Sequence, residues 1–142
     1  MKKLLLIFSL ILVPQIFGKT FVVKTSDSEK GVSMTFSPLF LEIEVGDKVK
    51  FEPTDEGHTS KSLFVPEGAQ AWEGKDSKEI IVEFNKPGYY LYDCANHGVM
   101  GMMGLVVVGE PENKEKVKNF YVKHKKNVVM NKNRLDQYLL ED

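Results

Sequence analysis

Short apolar runs separated by turn residues occupy positions 20–109, and this pattern leaves few possible folds for the chain. In runs such as 32–36, 40–45 and 48–52, apolar and polar residues alternate with a period of two, as in half-buried β-strands. Glycine, proline and aspartate interrupt the runs where turns are expected. The pattern predicts an all-β domain, an eight-stranded Greek-key β-sandwich. The predicted strands are 20–24, 32–36, 40–45, 48–52, 62–65, 79–84, 89–93 and 104–109.

The pattern becomes helical after Glu110 and Pro111. Apolar residues at 117, 120 and 121 have the i, i+3, i+4 spacing of one helix face, and those at 135, 138 and 139 repeat it. We therefore predict two C-terminal α-helices, at about 112–125 and 132–140. Helices this short are marginal in water on their own, so both are expected to pack against the sandwich.

Residues 1–18 have the features of a secretory signal peptide. Lys2 and Lys3 precede an apolar core at 4–13, and the stretch ends in the small residue Gly18. The apolar core is too short to span a membrane, although a membrane anchor and a buried N-terminal strand are alternative interpretations. We predict cleavage after Gly18, export of the chain and a single mature domain at 19–142.

Charge and cysteine content exclude some classes of protein. Loss of Lys2 and Lys3 takes the formal net charge from −1 to −3, and a mildly acidic chain argues against binding to nucleic acid. Cys94 is the only cysteine, so no disulfide can form within the chain. A lone thiol in an exported protein is open to oxidation unless something occupies it, and a bound metal would do so.

The stretch 94–103 brings together side chains that bind soft metal ions. Cys94, His97 and Met102 present a thiolate, an imidazole and a thioether on one short loop, and His58 offers a second imidazole from an earlier loop. Two histidines and a cysteine in a plane, with a weak axial methionine, form the ligand set of a type 1 blue-copper site. The glycines of the loop allow the tight backbone path that convergence requires. We predict one copper ion bound by His58, Cys94, His97 and Met102.

Other interpretations of these residues stay open on the sequence alone. His58 follows a glycine and is compatible with a simple turn histidine, while methionines more often fill gaps in a core. Met100 is the second candidate for the axial position. Cys94 is also compatible with an inert buried thiol or with a nucleophile paired with His97. The competing functions are a copper chaperone or storage protein, a Cys–His hydrolase and a structural domain without metal.

Five segments have the form of known motifs: GDKVKF at 46–51, GH at 57–58, PEGA at 66–69, PGYY at 87–90 and C-x-x-H-x-x-M-G-M at 94–102. They resemble motifs of the cupredoxins, and within them of the pseudoazurin group. The trailing helices distinguish that group from plastocyanin, which shares the spacing of the ligand loop. The resemblance covers nearly all of the chain after the leader.

This resemblance implies a cupredoxin-like fold and a periplasmic single-electron carrier, not an enzyme. The implied partners are redox proteins, either a copper nitrite reductase or a c-type cytochrome, with no nucleic acid or membrane partner and a monomeric state. We expect electrons to pass through an exposed edge of the His97 ring. The apolar patch expected around that ring consists of Pro53, Gly98, Val99, Met100, Gly101 and Met103.

Three features depart from the pattern of the group. Thr59 follows the first histidine, where the group usually has an asparagine that ties the two ligand loops together. Asn96 precedes the second histidine, where a proline is common. Glu56 and Asp93 stand where lysines often surround the site. A more polar ligand loop is expected to change the hydrogen bonds around the metal and hence its potential.

Overall fold

Two four-stranded β-sheets pack face to face, and two short α-helices cover one of them. The computed structural model describes residues 17–141, so nearly all of the predicted leader lies outside the described residues. Within that range no helix is long and apolar enough to cross a membrane. The strands are β1 (Thr20–Glu29), β2 (Val32–Ser37), β3 (Phe40–Ile43), β4 (Lys48–Pro53), β5 (Lys61–Phe64), β6 (Ile80–Glu83), β7 (Gly88–Asp93) and β8 (Met103–Val108).

The chain passes repeatedly from one sheet to the other. The first sheet has the strand order β2-β1-β4-β6, and the second has β3-β8-β7-β5. β1 is parallel to β4 and β3 is parallel to β8, while the other neighbours are antiparallel. The predicted eight-stranded sandwich is therefore confirmed. Its inner faces meet in a core of buried apolar side chains that includes Val23, Phe36, Phe51, Tyr92 and Val106.

β1 is longer than the sequence predicts. It continues through polar residues to Glu29 and pairs with β2 across a tight turn at Lys30 and Gly31, both of which have positive φ. The apolar pattern ends at Lys24, but backbone pairing with β2 extends the strand beyond it. This polar extension carries Asp27 to the loop that follows β4.

The helices α1 (Lys114–His124) and α2 (Asp136–Leu139) confirm the predicted pair, although α2 is only one turn long. The residues just before α2 form turns instead of the helix expected from position 132. The single O–H of Tyr121 on α1 has two acceptors within reach, the Lys132 carbonyl at 2.9 Å and a carboxylate oxygen of Asp136 at the start of α2 at 2.8 Å. These contacts fasten the turns before α2 to α1.

β7 and β8 are buried on both faces. Tyr92 and Val106 point into the core between the sheets, whereas Leu91 and Leu105 point to the helices. This double burial explains why the run at 105–108 is continuously apolar instead of alternating. The helices contribute to this second core with Val117, Tyr121, Leu135 and Leu139.

Val117→Ala should lower the free energy of unfolding by about 1.5–3 kcal/mol, because it removes two methyl groups from a fully buried position between α1 and the second sheet. Urea unfolding measures the change. Val122→Ala is the matched control on the same helix: its side chain is 37% exposed, and the expected change is below about 0.5 kcal/mol. Equal effects of the two substitutions would contradict this packing of α1.

Candidate metal centre

Two loops meet at one end of the sandwich and carry the predicted ligands. One follows β4 and contains His58, and the other joins β7 to β8 and contains Cys94 and His97. The Cys94 Sγ atom lies 3.9 Å from Nδ1 of His58 and 3.5 Å from Nδ1 of His97. The three donor atoms are all within 4.8 Å of one another. The fold therefore brings these three residues into one cluster.

This donor set fits a copper ion in both spacing and chemistry. Bonds from a first-row metal to nitrogen and sulfur are about 2.0–2.3 Å long, so two donors on one ion lie at most roughly 4.5 Å apart. Both Sγ–Nδ1 distances satisfy this limit. A thiolate with two imidazoles is the trigonal set of type 1 copper sites. Cys94 and His58 are fully buried and His97 is half-buried, so His97 is the one residue of this cluster with solvent exposure.

Backbone hydrogen bonds fold the ligand loop into a compact turn. The Cys94 N–H donates to the Met102 carbonyl at 3.0 Å, which extends the β7–β8 ladder by one bond. The Cys94 carbonyl accepts from the N–H groups three and four residues later, at 3.1 and 2.7 Å. A 3₁₀ turn follows at Gly98–Met100, and Gly101 ends it with a φ of 77°, a conformation that favours glycine.

Of the three methionines between positions 100 and 103, only Met102 lies in the same core as the Cys94 thiol. Its side chain is fully buried in the same core as Cys94, and its N–H donates to the His97 carbonyl at 3.3 Å. Met103 is buried in the other core, beneath the helices, and Met100 is half-exposed. Exposure thus distinguishes Met102 from Met100, and membership of the Cys94 core distinguishes it from Met103.

The family of the chain follows from comparison with known proteins. Residues 22–109 match the family model that describes copper binding proteins of the plastocyanin/azurin family. The chain belongs to this cupredoxin family. Its cofactor is copper, in agreement with the donor set at the end of the sandwich.

Relatives of this cupredoxin include pseudoazurins. Pseudoazurin from Methylorubrum extorquens is 39% identical over 107 residues, which cover 73% of this chain and 71% of that protein. The crystal structure of pseudoazurin from Methylobacterium extorquens AM1 matches with a TM-score of 0.78 at 36% identity, over 87% of this chain and 98% of that one. A copper-containing nitrite reductase from Thermus scotoductus SA-01 matches with a TM-score of 0.51 at 28% identity, over 66% of this chain and 23% of that one. The chain is thus a blue-copper electron carrier similar to the pseudoazurins, and not an enzyme.

In this cupredoxin, Asn96 joins the two ligand loops. Its Nδ2 group donates to the Gly57 carbonyl, next to His58, and to the Asp76 carboxylate, both at 2.8 Å. Thr59, by contrast, has a buried hydroxyl with no hydrogen-bond partner within residues 17–141. The tie that the group usually makes from the residue after the first histidine is made here from the residue before the second.

The two acidic residues expected around the site have different environments. Glu56 is exposed, but Asp93 is largely buried at the end of β7. Burial raises the pKa of the Asp93 carboxyl to about 7, while the positive charge of Lys61 on the neighbouring strand acts in the opposite direction. Asp93 therefore lies beneath the ligand loop, against Gly98, and of these two acidic residues only Glu56 is exposed.

The apolar patch predicted around His97 is only partly correct. Val99 is 59% exposed, and Pro53 and Met100 are half-exposed. The other three predicted members are buried and so cannot contact a partner. Gly98 and Gly101 are buried within the turns of the ligand loop, and Met103 is buried beneath the helices.

Part of the exposed apolar surface comes from the segment before α2, which the sequence did not connect with the site. Val129 is 77% exposed, and its N–H donates to the Val99 carbonyl at 2.8 Å. Met130 is 48% exposed, and its backbone carbonyl lies against Gly101. Val99, Met100, Val129 and Met130 together form what we call the docking patch.

His58 makes a further contact that sequence reasoning missed. Its Nε2 atom lies 2.9 Å from Oδ1 of Asp27 on β1. The two residues are 31 positions apart, and the polar end of β1 carries no motif. Only the pairing of β1 with its neighbours could have revealed this contact.

Asn96→Ala should lower the free energy of unfolding of the copper-free protein by about 1–3 kcal/mol, because it removes two hydrogen bonds that join the loops, one of them to a carboxylate. Chemical denaturation of the copper-free form measures this change. Asn85→Ala is the control: Asn85 is exposed in the turn between β6 and β7, and its replacement should change the stability by less than about 0.5 kcal/mol. If the Asn96 variant were as stable as the control, the tie would have no energetic role.

Proposed function

We propose that this cupredoxin is a periplasmic, monomeric single-electron carrier whose one copper ion is bound by His58, Cys94, His97 and Met102. The observation that carries the proposal is the convergence of a buried thiol and two imidazole Nδ1 atoms at one end of the sandwich. Burial of Met102 in the same core as Cys94 supports its assignment as the axial ligand. The order of basic, apolar and small residues at 1–18 supports export.

The residues of the site act mainly by holding donor atoms in place. Bound copper supplies the redox chemistry, because it gains and loses one electron between Cu(II) and Cu(I). Cys94 is anchored by the backbone bond to Met102, and the His58 loop is anchored by Asn96. Since these contacts do not depend on the charge of the metal, the donor atoms need to move little during electron exchange.

Electrons enter and leave through the His97 ring in this proposal. His58 and Cys94 are fully buried, whereas His97 is partly exposed beside the docking patch. An apolar surface of this kind suits the small, short-lived interfaces of redox proteins. Charged residues around it would set the encounter rate rather than the affinity.

The proposed electron acceptor is a copper nitrite reductase, with a c-type cytochrome as the other candidate. This step is supported by the resemblance to the pseudoazurin group, which implies such partners. The docking patch is compatible with either partner, because it offers apolar contact and no side chain for a specific reaction. Kinetics with each purified partner distinguish the two.

The visible absorption spectrum tests the copper site. Copper-free mature protein with one equivalent of Cu(II) should develop an intense blue band, because a thiolate bound to Cu(II) absorbs strongly in the visible region. Ascorbate should bleach the band, and reoxidation should restore it. A colourless protein, or a weak band typical of Cu(II)–amide complexes, would contradict the electron-carrier proposal and favour a copper chaperone.

Met102→Leu should raise the reduction potential by about 59 mV or more, which is at least a tenfold change in the Cu(II)/Cu(I) equilibrium. Removal of the axial thioether takes away a donor that stabilises the more highly charged ion. Met103→Leu is the matched control, since Met103 is equally buried but lies in the other core. Redox titration of both variants measures the shifts, and similar shifts would reject Met102 as the axial ligand.

Val99→Lys should slow electron transfer to the partner about tenfold, because a charged side chain would have to lose water within the docking patch. Stopped-flow reduction of a copper nitrite reductase gives the second-order rate constant. Val45→Lys is the control, since Val45 is 50% exposed in the turn between β3 and β4, at the other end of the sandwich. Equal rate constants for the two variants would show that partners bind elsewhere.

A further inference from the structure

The outer nitrogen of the buried ligand His58 contacts a carboxylate. His58 has no solvent exposure, and its Nδ1 atom faces the Cys94 thiol at 3.9 Å. The opposite ring nitrogen, Nε2, lies 2.9 Å from Oδ1 of Asp27. Each ring nitrogen therefore has one polar neighbour, the thiol on one side and a carboxylate on the other.

The fold places this carboxylate by backbone contacts. The Thr54 N–H and hydroxyl both donate to the Thr25 carbonyl at 2.9 Å, which fastens the loop after β4 to β1. The Asp27 N–H donates to Oδ2 of Asp55 in the same loop at 2.9 Å. These bonds fix the backbone at Asp27 beside the loop that carries His58. The short Asp27 side chain therefore reaches the imidazole from a fixed position.

We propose that Asp27 is a positioning residue for the copper site: it keeps the proton of His58 on Nε2, and its negative charge favours the oxidised metal. An ionised carboxylate can only accept hydrogen bonds, so the nitrogen facing it carries the proton and Nδ1 keeps its lone pair for the metal. Contacts of this kind orient histidine ligands and increase their basicity. The inference rests on the proposed role of His58 as a copper ligand.

The charge effect is expected to be moderate. The Asp27 side chain is 62% exposed, so water and salt screen much of its field. Its contact with the imidazole is nevertheless direct, whereas the Asp55 carboxylate bonds to the backbone of Asp27. Asp55 is therefore a suitable comparison for Asp27: each has a carboxylate oxygen within 4.8 Å of a His58 ring nitrogen, but only Asp27 is hydrogen-bonded to that ring.

Redox titration of the copper-loaded protein tests the charge effect. Asp27→Asn should shift the Cu(II)/Cu(I) equilibrium threefold to tenfold toward Cu(I), which corresponds to a rise of about 28–59 mV in the potential. Asp55→Asn removes the same charge from the same surface without removing the bond to His58, and it should shift the equilibrium less than half as much. Equal shifts in the two variants, or no shift in Asp27→Asn, would overturn the proposal.

Nitrogen-15 NMR of the copper-free protein tests the tautomer independently of the metal. At one fixed pH, the His58 ring of the unaltered protein should carry its proton on Nε2, and Asp27→Ala should populate the Nδ1–H form as well. Cu(II) affinity of that variant should fall about tenfold or more. An unchanged tautomer in Asp27→Ala would overturn the positioning role. Because this readout needs no copper, failure of the blue-copper proposal would be recognised separately.

Discussion

The pairing of β7 with β8 is the interaction on which both the site and the helices depend. The strands are antiparallel from Gly88 paired with Val108 to Asp93 paired with Met103, and every residue of β8 is buried. One face of this pair meets the first sheet and the other meets the helices, so a slip in register would misplace two cores at once. The bond between Cys94 and Met102 continues the ladder into the loop. The thiol is therefore held by the most deeply buried part of the fold.

Periodicity was sufficient to predict the fold wherever one face of an element meets the core. Alternation predicted strands such as β2, β3 and β4, a continuous apolar run predicted β8, and the apolar stripe that packs on the second sheet predicted α1. The prediction failed where polar or long-range contacts set the structure. The end of β1 is polar and is a strand because β2 pairs with it, and the turns before α2 contact Tyr121 of α1 from 11 residues away. Neither contact is visible in the local sequence.

The same distinction applies to the site. The cluster was predictable because a single cysteine, a histidine three residues later and only two further histidines, His58 and His124, leave few alternative donor sets. The contacts that support these donor residues were not predictable from the sequence, since each contact joins distant parts of the chain. Asn96 reaches Gly57 across 39 residues, and His58 reaches Asp27 across 31. The ligand loops are thus still joined by a hydrogen bond, which Asn96 makes and Thr59 does not.

The segment before α2 has a different relation to the site, because it borders the ligand loop without containing any of the proposed ligands. The Val129 backbone is hydrogen-bonded to Val99, so the position of its side chain is fixed. Because this side chain does not bind the metal, metal binding does not restrict which residue stands there. Evolution can therefore alter the surface that a partner recognises by substitution at 129 and 130, while the redox centre is left as it is. In such a carrier, partner recognition and metal binding depend on separate parts of the chain, and new electron-transfer partners can be acquired without a new metal site.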